Sequence, residues 1–85
     1  MYTNTVKEKL CALSLLKHLE IRSLSLQEAK ACRYHHLDIY TINLITYVLD
    51  ILVMYGMIFS QIDHTDVLYY ITPQGSRLLS KLDNE

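Results

Sequence analysis

The residues with the most chemical potential lie between positions 32 and 36. Cys32, His35 and His36 place a thiol and two imidazoles close together in the chain, and His18 or His64 could extend the set. A Cys and a His three apart can chelate zinc, but zinc sites usually carry two such pairs and only one is present here. The same residues read as a polar turn between two helices. A pH or metal sensor could also use such histidines, although nothing in the sequence demands one. The expectation is therefore no metal and no cofactor. Asp63 and Asp66 flank a turn, and loop chemistry accounts for them without a Ca²⁺ site. Cys11 and Cys32 are too few for a disulfide scaffold. They read as inert thiols within helices, with a bridge between them or between subunits as the alternative. No phosphate loop, nucleophile elbow or H-E-x-x-H is present, and two glycines cannot build a phosphate cradle. An enzyme is not expected.

Composition narrows the class. The chain has 85 residues, 51% hydrophobic and 20% charged, with a net charge of −1. That length suits a single domain over residues 1–85, whose thin core would gain from a partner subunit. A high apolar fraction, small net charge, two Gly and one Pro exclude disorder. The charge-free run from Ile39 to Leu49 contains Tyr, Thr and Asn and is far shorter than the ~20 apolar residues a bilayer needs. The polar start, Met1 to Lys9, does not read as a signal peptide. With the sparse cysteines, this points to a reducing, cytoplasmic setting.

The elements that would position any site follow from caps and periodicity. Thr5 and Glu8 suggest a capping box for a first helix, with Val6, Leu10, Leu13, Leu16 and Leu19 near helical spacing up to Glu20. Ile21 to Leu24 could form a brief strand. Ser25 and Glu28 make a second capping box, opening a helix over roughly Leu26 to Tyr34 whose inward stripe is Leu26, Ala29 and Cys32. Asp38 suits the N-cap of a third helix from Ile39 to about Tyr55, with Gly56 where a C′ glycine belongs. One side of that helix is broadly apolar. Tyr40, Asn43, Thr46, Tyr47 and Asp50 form a compact polar face. The period then switches to two. Met57–Ile62 and Val67–Ile71 read as strands around a four-residue loop, Asp63 to Asp66. Thr72 caps a last helix, with Pro73 at its first position and Leu78, Leu79 and Leu82 on its apolar side. The class is mostly α with a small β-hairpin, an α+β fold.

The order, with two helices joined by a short turn and a hairpin directly after the second, resembles the winged helix-turn-helix superfamily, more narrowly regulators of the MarR and PadR kind. Two runs carry the resemblance. Leu49-Asp50-Ile51-Leu52 followed by Gly56-Met57-Ile58 is similar to the run that ends a recognition helix and enters the wing. Tyr70-Ile71-Thr72-Pro73-Gln74-Gly75-Ser76-Arg77-Leu78-Leu79 is similar to the run that leaves it. The likeness covers about residues 5 to 82. It implies a sequence-specific DNA-binding transcriptional regulator, with the third helix in the major groove of double-stranded DNA. Tyr40, Thr41, Asn43 and Tyr47 would then face the bases, and Lys30 and Arg33 the phosphate backbone. It also implies a homodimer through the first and last helices, where leucines 13, 15, 16, 19, 78, 79 and 82 exceed what a small monomer easily hides.

The charge distribution departs from that pattern. No Lys or Arg lies between Arg33 and Arg77, a stretch containing Asp38, Asp50, Asp63 and Asp66. Residues 1–33 carry six Lys/Arg against three Glu. Since Lys and Arg supply most non-specific DNA affinity, the alternative is a winged-helix domain used for protein contact. The tyrosines at 40, 47, 55, 69 and 70 suit that use.

Overall fold

The computed structural model describes residues 3–30 and 40–84. Helix α1 (Thr3–Ile21) is followed by strand β1 (Leu24–Ser25) and helix α2 (Leu26–Lys30). Helix α3 (Ile42–Met54) leads into strands β2 (Ile58–Asp63) and β3 (Asp66–Ile71), and helix α4 (Pro73–Asp83) closes the chain. The strands form one antiparallel sheet in the order β1-β3-β2. The fold is α+β. α1 packs on α3, α4 and β3, and α3 packs on β2. Between them lies a core of Cys11, Leu15, Leu16, Leu24, Ile45, Leu49 and Ile58, with smaller and partly buried side chains around it.

Several elements form for the reasons their residues state. Ser25 Oγ accepts from the Glu28 N–H at 3.0 Å, and Glu28 Oε1 accepts from the Ser25 N–H at 3.3 Å, so the second capping box is made in full. Helix α3 ends in a Schellman motif. The Gly56 N–H donates to the Val53 carbonyl and the Met57 N–H to the Leu52 carbonyl, with Gly56 at φ +75°. An L side chain at Gly56 would be strained, so glycine lets the helix stop and the strand start at once.

The hairpin returns to the same point. Thr72 Oγ1 lies 2.7 Å from the Gly56 carbonyl and 2.8 Å from the Met57 carbonyl, donating its single proton between them. The same oxygen accepts from the Gly75 N–H at 3.1 Å as the N-cap of α4, and the Thr72 N–H donates to the Met57 carbonyl at 3.1 Å. Gly75 packs so closely here that an added Cβ would stand 2.0 Å from the Met57 carbonyl oxygen.

Other expectations are corrected. The backbone is already helical at Thr3, so Thr5 lies inside α1 and does not cap it. Val6 and Leu10 face outward; of the expected stripe Leu16 and Leu19 are buried and Leu13 packs against the core, and Cys11, Leu15 and His18 join them on the core side of α1. Leucines at 13, 15, 16 and 19 cover adjacent directions on the helix, so spacing alone leaves its rotation undetermined. The short strand is Leu24–Ser25, not Ile21–Leu24. Helix α3 starts at Ile42 with Thr41 as N-cap, not at Ile39. Asp38 and the stretch from Ala31 to Ile39 lie outside the described residues. Asp63 pairs with Asp66, so the loop is the two residues His64 and Thr65, and His64 takes φ +56°. Finally, Leu15, Leu16, Leu19 and Leu79 are buried within the chain, and Leu13, Leu78 and Leu82 pack against the core. Of these seven leucines, Leu13, Leu78 and Leu82 keep part of their surface open.

Two substitutions test the hairpin base. Gly75→Ala should cost about 2–3 kcal/mol or more, because only backbone movement relieves the contact. Thr72→Val should cost about 1–3 kcal/mol through loss of the hydroxyl's bonds to the Gly56 carbonyl and the Gly75 N–H, the Met57 carbonyl keeping the Thr72 N–H, whereas Thr72→Ser should recover most of that loss. Urea denaturation followed by circular dichroism reads both; Gly75→Ala within about 0.5 kcal/mol of wild type would contradict the close approach.

Candidate nucleic-acid interface

Helix α3 buries Ile45, Val48, Leu49 and Leu52 and turns the opposite side to solvent. Asn43, Tyr47, Asp50 and Met54 fall at i, i+4, i+7 and i+11 and are all exposed, forming one outward stripe. Tyr47 retains 52% of its surface and Met54 75%. The stripe holds its direction because both helix ends are fixed, by the Thr41 cap at one and Gly56 at the other.

The anticipated residues separate into groups. Asn43 and Tyr47 stand together on the outward stripe as expected. Thr41 is exposed, but its Oγ1 already accepts from the Leu44 N–H at 3.2 Å. Thr46 turns its hydroxyl back onto the Ile42 and Asn43 carbonyls, at 2.9 and 3.1 Å, so its proton is committed within the helix. Tyr40 departs from the expected polar face. It is only 9% exposed and joins the core, beside Leu10, Leu13, Ser14 and Lys17. The helical projection that placed it with Asn43 does not apply to a residue two positions before the helix begins. Lys30 is exposed at the end of α2. Arg33, the other expected backbone contact, lies outside the described residues.

One residue escaped sequence reasoning. Lys7, in the first turns of α1, lines a shallow open groove with Glu8, Thr41, Asn43, Leu44 and Tyr47. A cation thus stands at the N-terminal end of α3, next to the amide and the phenol. The sequence separation of more than thirty residues hides this, and only the packing of α1 on α3 produces it.

The hairpin side is acidic. The charged residues of α3, β2 and β3 are Asp50, Asp63 and Asp66. Asp66 is structural as well as charged: its Oδ1 accepts from the Val67 N–H at 2.8 Å and from the Gln27 N–H at 3.3 Å, tying the hairpin to the first turn of α2. Burial, then the nearby charges of Asp50 and Asp66, push the Tyr69 phenol above its ordinary value, so it stays neutral. At the tip His64 is almost fully exposed, with Nε2 3.7 Å from Asp63 Oδ1.

Among the described residues no three His, Cys, Asp or Glu side chains are grouped to hold a metal ion. Of the residues weighed for chelation, Cys32, His35 and His36 lie outside the described set. His18 is buried in α1 and His64 stands at the hairpin tip, in separate parts of the fold. No described helix is long and apolar enough to cross a membrane. No family model, curated protein or solved structure matches this chain.

Burial also decides the chemistry of Cys11. Its side chain is fully enclosed, and desolvation pushes the thiol up to about 11. In a Cys32→Ser background the native protein should therefore resist iodoacetamide at pH 8 and react once unfolded in urea. Rapid alkylation of the folded protein, followed by mass spectrometry, would contradict the enclosed thiol.

Proposed function

We propose that the chain is a winged-helix DNA-binding regulator that reads duplex DNA with α3. The reading rests on one observation: the amide of Asn43 and the phenol of Tyr47 stand exposed on the N-terminal half of α3, with Lys7 beside them. An Asn amide matches the N6/N7 edge of adenine in the major groove, and a tyrosine hydroxyl can donate to a phosphate oxygen. Lys7 and Lys30, with Arg33 from the sequence, supply the cations for the backbone. Tyr40 has no part in this contact, because it belongs to the core.

The acidic tip shapes how such binding works. Asp63 and Asp66 beside a phosphate would be repelled, so the wing contributes no backbone neutralisation. Affinity falls to the few cations of the N-terminal half, and its salt dependence is correspondingly shallow, with a slope of about −0.9 per neutralised phosphate. A dimer doubles that number.

A second reading, a winged-helix module for protein contact, is favoured by a different observation. Tyr47, Met54 and Tyr55 are exposed together with Asp50 along α3 and its C-cap, a helix that itself carries no Lys or Arg. Aromatic residues and methionine are enriched at interface cores, where charged residues are depleted.

Retardation of duplex DNA across a salt series separates the two. The DNA reading expects binding at low salt, loss of sequence preference by about 1–3 kcal/mol in Asn43→Ala, and a slope shallower by about one per protomer in Lys7→Ala. Absence of retardation at low salt would defeat it and leave the protein-contact reading.

A further inference from the structure

The cations of the N-terminal half are not the only ones beside α3. A second groove opens at its other end, lined by Tyr55, Met57, Gln74, Arg77, Leu78 and Lys81. We infer that this groove holds the sugar-phosphate backbone of duplex DNA, so that α3 is anchored to one strand through Lys7 and to the other through α4. The inference rests on the reading of α3 as the DNA-contacting helix, and adds to it a contact made by the helix that follows the hairpin.

Helix α4 leaves one side open and cationic. Gly75 and Leu79 are buried, while Gln74, Arg77 and Lys81 fall at i, i+3 and i+7 and are all exposed. The acid of the same helix goes elsewhere: Asp83 pairs with Lys17 of α1 at 3.4 Å. Among the described residues neither Arg77 nor Lys81 has a carboxylate partner.

The groove's lining suits a phosphate. It contains two cations and no carboxylate, with the amide of Gln74 and the phenol of exposed Tyr55 beside them. Lys and Arg neutralise phosphate charge, and amide and phenol groups donate to the same oxygens. The groove at the other end of α3 is less one-sided, because Glu8 lines it together with Lys7.

Spacing selects a duplex. Leu44, which lines the first groove, and Tyr55, which lines the second, fall at i and i+11, so both grooves open on one flank of α3. They stand about 16 Å apart along the helix axis. The major groove is about 12 Å wide between its phosphate ridges, so cations spaced like this meet both ridges when α3 lies across it. Asn43 and Tyr47 then remain over the base edges near the first ridge. The carboxylates of this half stand aside: Asp50 is about 140° round the helix from Tyr55, and Asp63 and Asp66 are at the tip of the hairpin, away from its base. An acidic protein segment would match the charge but has no reason to match the spacing.

Retardation of a labelled random-sequence duplex across a salt series tests this. Arg77→Ala combined with Lys81→Ala should fold as wild type does by circular dichroism, since both side chains are exposed. Its salt slope should be shallower by about 1.8 per protomer, so that wild type loses about twelvefold more affinity than the variant between about 50 and 200 mM salt. Sequence preference, read by selection from the random pool, should stay as in wild type, because phosphates carry no base identity. Arg77→Lys should keep the slope, and Arg22→Ala, a charge change outside both grooves, should alter it far less than the double variant. On the selected duplex, phosphate ethylation should interfere in two clusters, one on each strand, and the double variant should lose one of them. An unchanged slope in the double variant while wild type binds would overturn the inference and leave the DNA reading of α3 standing. Interference confined to one strand would do the same. A wild type that fails to retard duplex at low salt would overturn both.

Discussion

The hydroxyl of Thr72 holds together the point on which the rest of the molecule depends. A single oxygen donates toward the Gly56 and Met57 carbonyls and accepts from the Gly75 N–H. It thereby joins the end of α3, both ends of the hairpin and the start of α4. Those segments also carry the backbone groups that a helix end and a strand start would otherwise leave unpaired, and burying such groups without partners is costly. Gly75 completes the junction by having no side chain where the Met57 carbonyl passes. With this point fixed, α3 cannot rotate independently of the sheet, and the outward direction of Asn43 and Tyr47 follows.

Charge divides the same molecule in two. Among the described residues the cations lie on α1, α2 and α4 and at Arg22, while α3 and the hairpin strands carry only carboxylates. One of these, Asp66, serves the fold by accepting from the first turn of α2. It cannot be exchanged for a basic residue without losing that tie. The acidity of the hairpin is thus partly a structural requirement, and cations stand by α3 at its two ends: Lys7 in a groove with Asn43 and Tyr47, and Arg77 and Lys81 in a groove with Tyr55. The ion pairs on the surface, such as Lys17 with Asp83 at 3.4 Å, sit in high dielectric and add little to this balance.

What could be read from the sequence, and what could not, divides along physical lines. Gly56, Thr72, Pro73, Gly75 and the Ser25–Glu28 box were legible because each residue type meets a local backbone need that few others meet. The strands were legible from alternation, and the exposure of Asn43 and Tyr47 from helical spacing. Tyr40 was misplaced because the helix starts later than Asp38 suggested, and periodicity says nothing about a residue outside the helix. The rotation of α1 was hidden by leucines on adjacent faces, so packing partners decided it. Lys7 was invisible as a neighbour of Asn43 because tertiary contact alone brings them together. The hairpin turn was read two residues too long, since Asp-His-Thr-Asp lacks the Gly or Asn that normally marks a positive φ, and His64 adopts it instead.

Because chain entry and exit are pinned at one place, the hairpin is a detour that leaves the helical body and comes back through a single doorway. Its length is therefore a nearly independent variable of this architecture. Growth or trimming at the His64 end by matched pairs of residues keeps every side chain on its own face, while an odd change on one arm inverts everything beyond it. Drift in this region over evolutionary time should accordingly proceed in even steps, with the helices undisturbed.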